Sequence, residues 1–118
     1  MPISDKERSA LMEMGRSARQ ALLYNQGRTI DDLGTISMFT DAVHRRLELI
    51  GEAARRISDA VRLRHPDVPW LNIIRTRHRI AHSYDTIDKF IVWKILDSHL
   101  PSLMVQIDRI IESEEGDR

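Results

Sequence analysis

The chain has 118 residues, enough for one domain with a modest hydrophobic core. Apolar residues make up 42% and charged residues 31%, as in soluble globular proteins, and no stretch approaches the roughly 18 apolar residues of a membrane span. The absence of cysteine excludes a disulfide framework and a thiolate metal site. Because the N-terminus lacks the apolar run of a signal peptide, we expect a cytoplasmic location and no membrane partner.

Net charge is zero, but the charge is unevenly distributed along the chain. Residues 55–79 carry seven arginines against two aspartates, a net charge of +5, whereas the preceding residues sum to −1 and the following ones to −4. The planar guanidinium group of arginine suits phosphate. A patch of this kind can bind nucleic acid, and an ordinary solvated helix face would look the same in composition.

The N-terminal half predicts two helices. Ser4 and Glu7 form a capping box before a first helix over about residues 5–26, which Gly27 is well placed to end. After a turn-like stretch, a second, long helix is predicted over about residues 35–64. Its apolar residues recur in steps of three and four, which is typical of an amphipathic helix; they are Ile36, Phe39, Val43, Leu47, Ile50, Ala54, Ile57 and Val61.

The C-terminal half predicts two more helices after a proline-rich link. Pro66 and Pro69 force an extended connection, and Pro69 suits the first turn of a third helix. The last helix is predicted over about residues 87–113, followed by a charged, frayed tail over 113–118. Pro101 lies inside this helix and should kink or split it. The buried side of the last helix is predicted to carry Ile91, Ile95, Leu103, Ile107 and Ile110.

These elements predict an all-α fold, because no segment shows the alternation of a β-strand. Short connections favour an antiparallel bundle of four helices, or of five if Pro101 splits the last one. No internal repeat and no long linker divides the sequence. Residues 1–118 are therefore expected to form a single domain, with a core over about residues 5–112.

The candidate chemistry is concentrated in ten residues of the third helix, Arg75–Tyr84. Arg77 supplies a fixed cation, His82 titrates near neutral pH and Tyr84 carries a phenol, a set that suits a phosphate ester. On a regular helix, Arg77 and His82 lie about 140° apart around the axis. Either the helix ends near Ala81, or the site is composite and is completed by a symmetric partner chain.

A metal site is the less favoured interpretation of the two histidines in this stretch. His78 and His82 are four residues apart, the spacing of a helical metal pair. However, no glutamate follows His78, and His99 is the only further candidate ligand nearby in the sequence. We therefore expect neither a metal nor a cofactor.

The same stretch resembles a known family. The segment Arg77–Tyr84 is similar to the R-x4-H-x-Y signature of HepT-like toxins, a branch of the HEPN superfamily of α-helical ribonucleases. The segment Leu49–Ala54 resembles the Ile-Gly-Glu-Ala part of that family's second helix, and Val68–Trp70 resembles its Pro-Trp entry to the motif helix. The likeness covers about residues 5–112, including two segments similar to the family's last helix, Ile87–Trp93 and Leu100–Leu103.

This resemblance implies a HEPN-like helical bundle that forms a homodimer and acts on RNA as a metal-independent endoribonuclease. Arg77 and His82 would be catalytic, with His78, which stands where the family usually has Asn, in a supporting role. The implied partner is a minimal nucleotidyltransferase antitoxin of a type VII-like toxin–antitoxin pair. It would silence the toxin by attaching AMP to Tyr84.

Cleavage of RNA without a metal requires a base, an acid and a positively charged clamp for the phosphate. In a dimer, one His82 could act as base and the other as acid, with Arg77 as the clamp, and the product would carry a 2′,3′-cyclic phosphate. Two alternatives stay open. The chain could be a non-catalytic helical partner that binds substrate for a nucleotidyltransferase, or a plain oligomeric bundle with a solvated basic face.

Overall fold

The structure of the chain is a computed structural model that describes residues 3–83 and 88–116, with the backbone alone described at residues 81–83 and 116. Across these residues every regular element is helical, which confirms the predicted all-α class. The helices are α1 (Asp5–Asn25), α2 (Asp32–Thr35), α3 (Ser37–Arg55), α4 (Asp59–Arg64), α5 (Trp70–Ser83), α6 (Lys89–Lys94) and α7 (Leu100–Gly116), with a π-helical turn at Ile95–His99 between α6 and α7.

The predicted capping box at the start of α1 is present. The Ser4 hydroxyl accepts a hydrogen bond from the Glu7 backbone N–H at 3.1 Å, and the Glu7 carboxylate accepts one from the Ser4 backbone N–H at 3.2 Å. At the other end, Gly27 has a φ of +73°, the left-handed conformation that glycine adopts after a helix. Both ends of α1 are thus set by local sequence.

The second helix was predicted to be continuous over residues 35–64, and this prediction is wrong. The chain breaks between α3 and α4 because Ser58 adopts an extended conformation, and its hydroxyl accepts a hydrogen bond from the Val61 N–H at 3.3 Å. Its own N–H donates to the carboxylate of Glu7 in α1 at 3.0 Å. Arg62 closes the break, since its Nη2 donates to the Ala54 carbonyl at the end of α3 at 3.0 Å.

α3 is the central helix of the bundle, and it packs against both α1 and α5, while α7 packs against α1. Gly51, near the end of α3, contacts Ile73 and Arg77 of α5. α1 and α3 run antiparallel, as predicted for neighbouring helices, because Glu7 at the start of α1 bonds Ser58 just after α3, whereas Tyr24 near the end of α1 accepts from Arg46 in the middle of α3. Burial confirms the predicted apolar stripe along α3, at Phe39, Val43, Leu47, Ile50 and Ala54.

Pro101 distorts the last helix, as predicted, but by widening it rather than by a simple kink. The Leu100 N–H donates to the Ile95 carbonyl five residues earlier, the bond of a π-helical turn. A proline at position 101 has no N–H to donate, and its ring would clash with the carbonyl four residues before it in a regular helix. The helix then continues to Gly116, beyond the predicted end at Ser113.

The buried side of α6 differs from the prediction. Ile91 is 36% exposed and Ile95 is partly buried, whereas the fully buried residues here are Val92 and Leu96. After Pro101 the prediction is confirmed, at Leu103, Ile107 and Ile110.

α7 also holds the link between α4 and α5. The carboxylate of Glu114 is almost completely buried and accepts hydrogen bonds from Arg64 Nη2 at 2.9 Å and Nε at 3.1 Å, and it lies 3.0 Å from His65 Nε2. Farther along the link, Gln106 Nε2 donates to the Asp67 carbonyl at 3.0 Å. The predicted frayed tail is thus helical up to Gly116, and part of it anchors the segment that leads into α5.

Two effects act in opposite directions on the pKa of Glu114. Burial raises the pKa of this carboxyl, but the hydrogen bonds from His65 and Arg64, together with their positive charge, more than offset burial and lower the pKa below its ordinary value. The carboxylate is therefore charged at neutral pH. Removing the carboxylate would cost the charge-assisted hydrogen bonds that it accepts from Arg64 and His65.

Among the described residues, no helix is long and apolar enough to cross a membrane.

Candidate functional site

Arg77 is fixed by an unusually close approach of α5 to α3. A Cβ atom built at Gly51 would lie 2.1 Å from the Arg77 Cβ and 3.1 Å from the Ile73 carbonyl oxygen. No other amino acid fits at position 51 without pushing the helices apart. The glycine of the Ile-Gly-Glu-Ala segment therefore lets the backbone of α3 and the side chain of Arg77 meet.

The side chain of Arg77 is half-buried against α3. Its Nε atom is buried and has no hydrogen-bond partner among the residues that the structure describes. A guanidinium group held in this way keeps its charge and loses little conformational freedom when it binds a planar anion. Arg77 is thus a pre-positioned cation on α5.

α5 stays helical through Ser83, so the first explanation of the Arg77–His82 geometry is wrong. The helix does not end at Ala81, and position 82 therefore lies about 140° around the axis from position 77. The side chain of His82 lies outside the described part of the chain, and so does the whole of Tyr84. A composite site remains the explanation that fits a continuous helix.

The basic block divides into structural and exposed arginines. Arg62 caps α3, Arg64 pairs with the buried Glu114, and Arg77 packs on Gly51. The remaining four are exposed: Arg55, Arg56, Arg75 and Arg79. The net charge of the block therefore overstates the positive charge available to a ligand, although the exposed members include neighbours of Arg77 on α5.

His44 is a buried titratable residue that the sequence analysis missed. It is 7% exposed and lies seven residues before Gly51, hence on nearly the same face of α3 and about 10 Å from it along the helix. Burial lowers the pKa of His44, and this effect outweighs the opposing effects of Asp41 and Glu48. The imidazole is therefore neutral at pH 7. The sequence did hold a signal for this burial, because His44 directly follows Val43 of the apolar stripe of α3.

The two polar residues that directly follow Arg77 in the motif are more exposed than Arg77. His78, the predicted supporting residue, is exposed on α5, and so is Arg79. Among residues 3–83 and 88–116, no three side chains of His, Cys, Asp or Glu lie close enough together to hold a metal ion.

A groove of about 460 Å³ lies beside this part of α5 and was not predicted. One wall is the face of α5 that carries Ile73 and Thr76, and the opposite wall is the last two helices with the π-helical turn. Apolar side chains dominate the lining, including Ile91 and Ile95, which the sequence analysis assigned to the core. Its polar residues are Asp67, Asn72, Thr76, Lys94, His99, Ser102 and Gln106.

These features define an all-α protein in which a basic helix, packed on one neighbour, presents a fixed arginine beside an apolar groove. The model of the family described as Ribonuclease HepT-like matches residues 14–110. The chain belongs to the HepT-like ribonuclease family. The resemblance that the motif suggested is thereby confirmed, and membership of a ribonuclease family implies RNA as the substrate class.

Several proteins similar to this chain are named as ribonucleases. The chain is 35% identical over 69 residues to the protein named "Probable ribonuclease HepT" of Thermococcus cleftensis, a match that covers 58% of this chain and 63% of that protein. It is 29% identical over 117 residues to MJ0127 of Methanocaldococcus jannaschii, named as a candidate RNase, covering 99% of this chain and 96% of the relative. TTE0752 of Caldanaerobacter subterraneus, named likewise, is 30% identical over 90 residues, 76% of this chain and 80% of its own length. No solved structure matches the chain.

Proposed function

We propose that the chain is the toxin of a toxin–antitoxin pair and cleaves RNA as a metal-independent endoribonuclease, with Arg77 and His82 as catalytic residues and His78 in support. The observation that carries this proposal is the placement of Arg77, fixed against Gly51 on a helix that continues through position 82 in a chain of a ribonuclease family. The glycine contact supports a role that needs a rigid cation.

Arg77 serves as the clamp for the scissile phosphate. Its guanidinium group donates to the non-bridging oxygens, and its charge stabilises the extra negative charge that develops on phosphorus. Because the side chain is held by α3, little conformational entropy is lost on binding. Lysine would keep the charge at this position but lose the planar pair of donors.

His82 transfers the protons. As a neutral base it takes the proton of the ribose 2′-hydroxyl, and the 2′-oxygen then attacks the adjacent phosphorus. The bond from phosphorus to the 5′-oxygen breaks, and that oxygen receives a proton from a second, protonated His82. The products are a 2′,3′-cyclic phosphate and a free 5′-hydroxyl group.

A homodimer supplies the second His82. The continuous helix supports this part of the proposal, because positions 77 and 82 point in directions about 140° apart on one chain. A two-fold axis between two copies of α5 would bring two arginines and two histidines to one RNA strand. Heterodimers of wild type with His82→Ala are expected to lose nearly all activity, whereas full activity would contradict a shared site.

A minimal nucleotidyltransferase antitoxin silences the toxin by attaching AMP to Tyr84. Position 84 follows α5 seven residues after Arg77. The AMP phosphate would occupy or repel the place where the RNA phosphate meets Arg77. Tyr84→Phe should keep RNA cleavage and escape silencing by the antitoxin, and a loss of cleavage would assign the phenol to the reaction or to folding.

The test of the reaction is cleavage of total RNA with EDTA present. We expect wild type to cleave, and His82→Ala and Arg77→Ala to be slower by about 100-fold or more, with Arg79→Ala as the matched exposed-arginine control. Cleaved ends should carry a 2′,3′-cyclic phosphate, detected by mass spectrometry. If pure wild type binds the nucleotidyltransferase but leaves RNA intact, the protein is instead a non-catalytic partner of that enzyme.

A further inference from the structure

The residue directly before Arg77 in the sequence, Thr76, lines the groove beside α5. Thr76 and Ile73 line it, and the carbonyl of Ile73 is part of the same close contact that holds Arg77 on Gly51. On α3, Leu47 and Ile50 contribute to the lining directly before Gly51 in the chain. The groove and the arginine therefore share the same two helices and are rigidly placed with respect to each other.

The groove has the size and surface of a site for one small planar ligand. Its volume of about 460 Å³ lies within the range of about 300–1,000 Å³ that small-molecule sites occupy. Isoleucine and leucine side chains, with Pro69, form the apolar part of its lining, and they suit the faces of a nucleobase.

Several polar groups of the lining are already used within the fold. The Thr76 hydroxyl donates to the Asn72 carbonyl at 2.8 Å, Gln106 Nε2 donates to the Asp67 carbonyl, and the Ser102 hydroxyl donates to the Ser98 carbonyl at 3.3 Å. These bonds explain three of the polar side chains without a ligand. They leave the Asn72 amide and the side-chain carbonyl of Gln106 for a ligand.

The basic side chains of the groove complement an anion. Lys94 and His99 lie on the wall formed by α6 and the π-helical turn, and Asp67 is the single acidic residue in the described lining. The side chains of Lys94 and His99 form no hydrogen bond or ion pair with the part of the chain that the structure describes. A phosphate of an RNA strand would meet both.

We propose that this groove is a nucleotide subsite, which holds the base of the single-stranded RNA nucleotide next to the phosphate that Arg77 clamps. This inference rests on the proposed ribonuclease function and adds to it the recognition of the substrate. The base lies on the isoleucine and leucine lining. The Asn72 amide and the side-chain carbonyl oxygen of Gln106 form hydrogen bonds with the polar edge of the base. The backbone of the strand passes Lys94 and His99. Single-stranded RNA is read in this way, through unstacked bases whose edges are free.

The groove can be filled without touching the core. Ser102 lines it and is exposed, so Ser102→Trp should block a base while leaving the fold intact. Ser113→Trp is the matched control, because Ser113 is exposed on the same helix and does not line the groove. Asn72→Ala removes the amide alone.

Cleavage of short single-stranded RNA oligonucleotides of defined sequence tests the proposal. Ser102→Trp should reduce kcat/KM by about tenfold or more, the loss expected when one base is no longer held, while Ser113→Trp stays close to wild type. Asn72→Ala should change which base is preferred beside the cut. Wild-type kinetics in Ser102→Trp, together with an unchanged cleavage pattern in Asn72→Ala, would overturn the subsite.

Two further measurements separate this failure from others. Binding of a fluorescent RNA tetranucleotide is measured in the His82→Ala background, where Ser102→Trp should again weaken binding and Ser113→Trp should not. If wild type cleaves no RNA at all, the proposed function fails, whereas active enzyme with an indifferent groove contradicts the subsite alone. If Ser102→Trp changes the oligomeric state in light scattering while Ser113→Trp does not, the groove is an interface between copies, and the proposal is wrong.

Discussion

Two neighbouring surfaces of α5 differ in how closely they are packed. On the α3 side, glycine at position 51 brings the backbone so close to Arg77 that no Cβ fits between them. Beside this contact, a groove of about 460 Å³, which Leu47 and Ile50 of α3 also line, separates α5 from the last two helices. The extensive contacts of α5 are with α3. One side therefore fixes the position of the arginine, and the other leaves space beside it.

The largest effect is expected on the closed side. Gly51→Ala should destabilise the protein by about 3 kcal/mol or more, because the new methyl group would overlap the Arg77 side chain and force α5 away from α3. Urea unfolding gives the free energy. Gly15→Ala is the matched control, since its Cβ would lie 3.5 Å from Ile107 in an ordinary contact and should stabilise α1 by about 0.5–1 kcal/mol. Equal stabilities for the two variants would contradict the close-packed contact.

The next effect concerns the anchor of the link that leads into α5. Glu114→Gln should cost about 1.5–3 kcal/mol, because it weakens the charge-assisted hydrogen bonds that Arg64 and His65 make with this carboxylate. Glu112→Gln, an exposed glutamate on the same helix, should change the free energy of unfolding by less than about 0.5 kcal/mol. A cost as small as that of the control would mean that α7 does not hold the link.

The pH dependence of stability should separate this anchor from the buried histidine of α3. The folded-state pKa of Glu114 is lowered from 4.5, so its contribution is present above pH 4.5 and is lost as the pH falls through the folded value. The pKa of His44 is lowered from 6.5, so the unfolded chain binds the proton first and stability declines as the pH falls below 6.5.

Thermal unfolding across pH 2–7 measures both groups. His44→Gln should flatten the decline just below pH 6.5. Glu114→Gln should flatten only the decline below pH 4.5. An unchanged slope below pH 6.5 in His44→Gln would show that burial does not suppress protonation of that imidazole.

The smallest effect is expected on the open side. Asn72→Ala should change the free energy of unfolding by less than about 0.5 kcal/mol, because the side chain is exposed and its amide bonds none of the described residues. The same urea unfolding that measures Gly51→Ala gives the comparison. A cost near that of Gly51→Ala would show that the groove side is packed as tightly as the α3 side.

The sequence predicted most of the fold, because burial and periodicity agree in the long helices. α1, the apolar stripe of α3 and the distortion before Pro101 all follow from local rules of capping, spacing and proline geometry. The break at Ser58 did not follow, since Ile57 and Val61 keep the helical spacing on both sides of it. There the extended Ser58 caps α4, and it is also held by a hydrogen bond to Glu7, 51 residues earlier in the chain.

The candidate site could be predicted only in part. The sequence motif predicted Arg77 as a site residue. The contact that fixes its side chain could not be predicted from the motif, because it depends on Gly51 in another helix. A glycine within a strongly periodic helix was a usable signal, because it costs about 1 kcal/mol there unless a close contact requires it. The groove had no such signal, since its lining comes from four different helices, α3, α5, α6 and α7, which are brought together only by folding.

The π-helical turn before Pro101 has a consequence for register. The buried residues Val92, Leu96 and Leu100 follow one another in steps of four. On a regular α-helix each such step turns the side chain about 40° further round the axis, and the three would drift away from the core. The wider turn takes more residues per rotation, which keeps them in line. The turn before Pro101 thus aligns the buried residues that precede it with those that follow it in α7. Ile91 does not belong to this buried set, and it lies on the groove wall.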